Sequence, residues 1–202
     1  IPCVYGVQDI PLTGEFCVFD TETTGLDPNV EYLTEIGGVI VKNGEVVDEF
    51  DTFVKPGKPI TPKITELTGI TNEMVADAPS EAEALQAFLD FAGGRILVAH
   101  NAHSFDIRFL RIAAKRSGIA FEPTYIDTLT MAQAMYPGLH NYKQGTINKH
   151  LELPAYEAHR ACEDAGALGR IFCVMLSDLA EKQVTRVSEI NTGLGGNREV
   201  LK

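Results

Sequence analysis

The chain has 202 residues, 45% of them hydrophobic, which suits one folded domain with a substantial core. It contains no apolar run of about 18 residues, so nothing in it reads as a membrane-spanning helix. Net charge is −11, from 17 basic and 28 acidic residues, which argues against a protein that grips nucleic acid nonspecifically through lysine and arginine alone.

The start, Ile1-Pro2-Cys3, is not a signal peptide and has no initiator Met, so the chain reads as a piece of a longer or processed protein. Phe16 to Asp20 is the first expected strand. Leu33 to Lys42 is the second, rich in Ile and Val, with Gly37-Gly38 marking a place where a neighbour comes close. Asn43-Gly44 is a two-residue hairpin turn, and Glu45 to Val54 returns from it, giving a three-stranded antiparallel meander. Thr61-Pro62 opens a short helix. Ser80 caps a helix that runs to about Phe91, with Glu83 completing a capping box and Gly93-Gly94 stopping it. Arg95 to Ala99 is the fourth strand, Ser104 to Ser117 a helix ended by Gly118, and Tyr125-Ile126 a brief fifth strand. Asp127 to Met135, Lys143 to His150 and Arg160 to Lys182 are the remaining helices. This order predicts an α/β protein with a mixed sheet. Residues 183–202 lack periodicity and read as a flexible tail or linker. Cys3, Cys17, Cys162 and Cys173 have no Cys-x-x-Cys spacing and read as buried or inert thiols, with no zinc site.

Three segments carry chemistry. The first strand ends in Asp20-Thr21-Glu22-Thr23-Thr24-Gly25. Residues i and i+2 of a strand share a face, so Asp20 and Glu22 aim at one point. Two carboxylates that close repel unless a cation lies between them, and carboxylate oxygens are what Mg²⁺ and Mn²⁺ prefer. Alone, the pair reads equally well as a solvated strand end. The second segment is His100-Asn101-Ala102-His103-Ser104-Phe105-Asp106, after the apolar run Ile96-Leu97-Val98. The third is His159-Arg160-Ala161-Cys162-Glu163-Asp164. Its five-residue spacing keeps His159 and Asp164 off one helical face, which places His159 on a loop before the last helix.

The three segments stand in the order and at the broad spacing of the DEDDh exonucleases, which the chain resembles over about residues 15 to 181. Between His-Asn-Ala and Phe-Asp that family usually has one residue; here there are two, His103 and Ser104, a spacing that related branches carry. The resemblance implies a ribonuclease-H-like fold with a mixed five-stranded sheet flanked by helices. It implies hydrolysis of 3′-terminal phosphodiesters with two divalent metal ions, Mg²⁺ or Mn²⁺. Asp20, Glu22, Asp106 and Asp164 would hold the metals, Asp20 bridging them, and His159 would act as general base. Thr23, Thr24, Gly25 and Leu26, with His100, Asn101 and Phe105, would contact the terminal nucleotide. His103 is expected to face solvent or start the helix, Asp127 to cap a helix, and Glu35 to be a supporting group or a satisfied strand acid.

Glu66-Leu67-Thr68-Gly69-Ile70-Thr71, Asp127-Thr128-Leu129 and the flanks Ile1 to Leu12 and Arg186 to Lys202 are similar to the exonuclease domain embedded in the PolC-type DNA polymerase III of Gram-positive bacteria. That resemblance implies a flanking segment over 1–14, an exonuclease domain over 15–182 and a tail over 183–202. It implies a monomeric proofreading unit in the bacterial cytoplasm, acting on single-stranded or frayed DNA 3′ ends, with the parent polymerase and replisome as partners. The alternatives are an RNA 3′-trimming enzyme of the same family and a noncatalytic binding module with this fold.

Overall fold

The apolar run that opens the first motif becomes the centre of a five-stranded sheet. The computed structural model describes residues 8–195 and 200–202; Ile1-Pro2-Cys3, Val4-Tyr5-Gly6 and Gly196 lie outside them. The strands are β1 (Glu15–Thr23), β2 (Leu33–Lys42), β3 (Glu45–Phe53), β4 (Ile96–Ala99) and β5 (Tyr125–Asp127), in the order β3-β2-β1-β4-β5. The first three form the antiparallel meander, and β4 and β5 run parallel to β1. Asn43 and Gly44 adopt the positive φ of 52° and 75° that their turn requires.

The helices are α1 (Pro62–Thr68), α2 (Asn72–Val75), α3 (Glu81–Ala92), α4 (Asp106–Ser117), α5 (Thr128–Met135), α6 (Gln144–His150), α7 (Ala161–Glu181) and α8 (Ile190–Gly193). The one-turn helix α2 has no expected counterpart, being too short to show a period. Thr61 and Ser80 cap α1 and α3 through their hydroxyls, and Gly69, Gly93 and Gly118 end α1, α3 and α4 in the left-handed conformation.

Both faces of β1 are covered, so its side chains alternate between two apolar layers. Phe16 and Val18 face α7, where Phe16 meets Phe172 edge-on with ring centroids 5.1 Å apart. Cys17 and Phe19 face α3 and α4, packing with Phe88, Phe109 and Leu110. A strand sandwiched this way must be apolar throughout, as Phe16-Cys17-Val18-Phe19 is. The layout puts the ends of β1, β4 and β5 along one edge of the sheet, where open α/β sheets bind ligands.

The region expected as a flexible tail differs from that expectation where it is described. Val184, Val187, Ile190 and Val200 are buried in the same core as Phe16 and Phe172. Residues three apart (Val184, Val187, Ile190) line one side of an irregular turn, a period too short for the helix pattern to reveal. Residues 200–202 extend the sheet: Lys202 and Tyr125 exchange backbone hydrogen bonds, and the Asp127 N–H donates to the Val200 carbonyl. At the other end, Leu12 N–H donates to the Thr185 carbonyl and Val187 N–H to that of Ile10.

Candidate active site

Three carboxylates meet at the end of β1, and a fourth, Asp106, lies near enough for its charge to act on Asp20. Asp20 and Glu22 share the face of Phe16 and Val18 and so point toward α7. The start of α7 reaches them because Gly37, the cross-strand partner of Asp20, has no side chain. A Cβ there would lie 2.4 Å from the Ala161 carbonyl, so only glycine lets the helix press this close to the sheet. Three residues on, Asp164 turns inward, and carboxylate oxygens of Asp20, Glu22 and Asp164 lie within 4.8 Å of one another.

Asp106 comes from the opposite layer as the first residue of α4. Thr21 points to that side of β1; its hydroxyl donates to Asp106 Oδ1 at 2.7 Å and its backbone N–H to the same oxygen at 3.2 Å. Asp106 is 2% exposed. The turn between β4 and α4 is organised by Asp127, which accepts from the backbone N–H groups of Asn101, His103 and Leu129 at 2.9–3.0 Å. Asp127 thus caps α5 as expected and also holds the loop that aims Asp106. Asn101 takes a positive φ of 62° in that loop.

Burial, before any neighbouring charge, raises the pKa values of all four acids. Burial, then the neighbouring charges of Asp106, Asp164, Glu22 and Glu35, hold Asp20 well above the ordinary carboxylate range. Burial, then Asp164, pushes Glu22 up to about 8. Burial lifts Asp106 to about 7 against the hydrogen bonds from Thr21, and Asp164 to about 6 against the His159 N–H. Fully buried Glu35 lies beside them and is ion-paired: Arg160 donates from Nε and Nη2 to its two oxygens at 3.0 and 3.3 Å. The other four have no lysine or arginine ion pair among the described residues. The donors are all hard oxygens, converging from both faces of a strand and repelling one another. Such a donor set suits a divalent cation.

His159 lies outside α7, on the preceding loop, with a positive φ of 72°. Its backbone N–H donates to Asp164 Oδ2 at 2.7 Å, while its ring is exposed to solvent. The Arg160–Glu35 pair pins the point where this loop becomes helix. Sequence reasoning missed Arg160 and Thr21, and neither leaves a local pattern: their partners are 125 and 85 positions away.

The residues expected around a terminal nucleotide divide into two groups. Leu26 is 83% exposed and projects from the loop after β1. A Cβ at Gly25 would meet the Glu31 carboxylate at 2.7 Å, so a larger residue there would push aside the side chain that Thr24 and Lys58 hold. The Thr23 and Thr24 hydroxyls were expected to face the nucleotide, but they are buried and committed to the loop. Thr23 donates to the Gly25 carbonyl, and Thr24 donates to Glu31 while accepting from the Tyr32 N–H. The Thr24 N–H is likewise taken by the Tyr32 carbonyl. His100 has both ring nitrogens engaged. Nε2 must donate to the Tyr142 carbonyl at 2.7 Å, which leaves Nδ1 to accept from Thr128 at 2.9 Å, and burial lowers its pKa toward this neutral form. Phe105 packs on Phe109 with centroids 4.8 Å apart, so its ring serves the α4 layer. His103, expected to face solvent or start the helix, lies in the turn before α4 and meets the Tyr125 hydroxyl through Nδ1 at 3.0 Å.

A mixed sheet carrying these acids suits an exonuclease domain, and comparison with known proteins shows the family. The model of the RNase T exonuclease family matches residues 17–172, and the chain belongs to that family. Among curated relatives, it is 47% identical over 194 residues to the PolC-type DNA polymerase III of Caldanaerobacter subterraneus subsp. tengcongensis and 39% identical over 198 residues to that of Halalkalibacterium halodurans. Each match covers 96% of this chain but 14% of the relative, so the chain spans about one seventh of their length. Among solved structures, the nuclease domain of 3'hExo, a DEDDh family member bound to rAMP, shares the fold with a TM-score of 0.71 at 22% identity, covering 82% of this chain and 93% of that one.

Proposed function

We propose that the chain removes nucleoside monophosphates from the 3′ end of single-stranded or frayed DNA, as the proofreading unit of a replicative polymerase. The observation that carries this reading is the convergence of Asp20, Glu22 and Asp164 within 4.8 Å, with Asp106 held beside them by Thr21. These four acids would hold two divalent ions, Mg²⁺ or Mn²⁺. When bound, such ions lower the pKa of a coordinated water and stabilise the leaving 3′ oxygen.

The chain's own groups account for the rest. His159 takes the proton from the attacking water as general base, and its place on a loop lets it approach when a strand is present. The hydrogen bond from its backbone to Asp164 ties that loop to the acids. Leu26 presses against the terminal base. Thr23, Thr24 and Gly25 shape the loop that presents it, and His100, Asn101 and Phe105 form the wall from which Asp106 projects. Selectivity comes from fraying, since a mismatched terminus unpairs at lower cost and enters a single-strand site more often. The acidic surface suits a unit that relies on a larger polypeptide to hold the duplex. We place the catalytic residues within 15–182 of a monomeric unit, with the flanks 1–14 and 183–202, which partly pack on the same core, joining it to a polymerase and its replisome in the bacterial cytoplasm. Among the described residues no helix is long and apolar enough to cross a membrane.

The test is degradation of matched 5′-labelled DNA and RNA oligomers with and without Mg²⁺ or Mn²⁺. The expected result is metal-dependent shortening of the DNA from its 3′ end. Shortening of RNA alone would replace the DNA reading with RNA trimming, and no shortening of either would leave only a binding module.

A further inference from the structure

Asp127, which organises the turn before α4, ends the shortest of the five strands. Three residues make a weak strand, and β4 holds β5 on one side only, through Leu97, Val98 and Ala99. Residues 200–202 hold the other side. Lys202 N–H donates to the Tyr125 carbonyl at 2.8 Å, and Asp127 N–H to the Val200 carbonyl at 2.9 Å. Between them Leu201 lies opposite Ile126 and turns its own N–H and carbonyl away from β5. Asn191, in α8, takes both. Its Oδ1 accepts from the Val200 and Leu201 N–H groups at 2.9 and 3.0 Å, and its Nδ2 donates to the Leu201 carbonyl at 3.3 Å. An amide carries acceptor and donor on one planar group, so this one side chain stands in for a further strand.

The far end of this chain of contacts is the site. The Asp127 carboxylate, 1% exposed, accepts the N–H groups of Asn101 and His103. The Asn101 carbonyl accepts from Phe105 N–H at 3.1 Å, and the next residue is Asp106. We infer that Asn191 is a positioning residue for the metal-holding acids: by clamping residues 200–202 on β5 it fixes Asp127, and through Asp127 the turn that delivers Asp106. The inference rests on the exonuclease reading above. Residues 183–202 are the flank that reading joins to a polymerase, so displacing the flank would loosen Asp106 and give the parent polypeptide a hold on the metal site.

Two variants test the relay from different ends. Asn191→Ala removes the clamp, and Leu201→Pro removes an N–H that the clamp accepts while leaving α8 intact. In the metal-free chain, amide hydrogen exchange at Asn101 and His103 should speed about tenfold in both. The Val30 and Glu31 amides, in the turn after β1, should exchange as in the wild type. Mn²⁺ affinity, read by equilibrium dialysis, should fall about tenfold. Asn191→Asp keeps the acceptor for both N–H groups and should recover most of each loss. Adding Asn191→Ala to Asp106→Asn should cost no further Mn²⁺ affinity, because the relay ends at Asp106. A merely structural clamp would lower the melting temperature and leave Asn101 and His103 exchanging at the wild-type rate. That result, or an Asn191→Ala loss that adds in full to that of Asp106→Asn, overturns the relay and leaves the exonuclease reading in place. A wild-type chain that neither binds Mn²⁺ nor shortens DNA overturns that reading, and the role given to Asn191 with it.

Discussion

The acids and the imidazole that complete this site stand on different ground. Asp20, Glu22 and Asp106 are fixed by a strand buried on both faces, by close packing at Gly37 and by the Thr21 hydrogen bonds. His159 hangs on an exposed loop, held through its backbone and by the neighbouring Arg160–Glu35 pair. The proposed metal-holding side is built with the fold and keeps its charge repulsion as a standing cost to stability. The proposed general base costs the fold little and, on its loop, is free to adjust to a strand. Function and stability should therefore respond oppositely on the first side and independently on the second.

Asp20→Asn breaks the comparison most sharply. Losing the central ligand should cost about 4 kcal/mol of transition-state stabilisation, roughly a thousandfold in kcat. The same change removes a charge repelled by four neighbours, so the metal-free variant should melt a few degrees higher, at about 2–4 °C per kcal/mol for a domain of this size. Lower activity with a lower melting temperature would contradict the standing-cost account. His159→Ala should lower kcat about a hundredfold or more, the usual worth of a general base. It should leave Mn²⁺ affinity and melting temperature unchanged, and a large stability loss would mean that the loop is structural.

Thr21→Val keeps the shape and removes the hydroxyl that aims Asp106. Metal affinity should fall about 10-fold to 100-fold, the usual effect of losing a partner that orients a ligand. Equilibrium dialysis with Mn²⁺ reads this directly, and an unchanged affinity would show that packing alone fixes Asp106.

The same acids should also make stability depend on pH. Asp164, Asp106 and Glu22 have folded pKa values raised to about 6, 7 and 8. A raised value means that the folded state holds its protons more tightly than the unfolded chain, where carboxyls ionise near pH 4. Metal-free stability should therefore be greatest at or below about pH 4 as far as these groups are concerned, and fall as pH rises toward 8. Saturating Mg²⁺ should remove most of that fall, since the ions take the place of the protons. Melting curves from pH 5 to 8, with and without Mg²⁺, check both halves; a metal-free melting temperature that rises over this range would refute the assignment.

Much of this was legible in the residues themselves. The apolar run before Asp20, the Asn43-Gly44 turn, the Ser80 cap and the glycine stops all act within a few positions of the structure they dictate. So does the five-residue offset that keeps His159 off the helix. Gly37 was legible as a close approach, though not as the gap through which α7 delivers Asp164. What stayed hidden depends on distant partners. Glu35 gave no sign that Arg160 would pair with it, and Asp127 read as a cap without its hold on the Asn101–His103 turn. The threonines after Glu22 looked like ligand donors because their hydroxyls were free on paper; folding commits them to Glu31 and the Gly25 carbonyl. The segment after Gln183 showed too short a period to announce that Val187 and Ile190 would join the core.

Manganese binding counted per chain is the most direct trial of the shared four-acid centre. Titration of the wild-type chain with Mn²⁺ at pH 8, in the presence of thymidine monophosphate, should give two bound ions, and Asp106→Asn or Asp164→Asn should lose at least one of them. Wild-type and variant chains that bind Mn²⁺ alike, or not at all, would show that these side chains gather for some other reason.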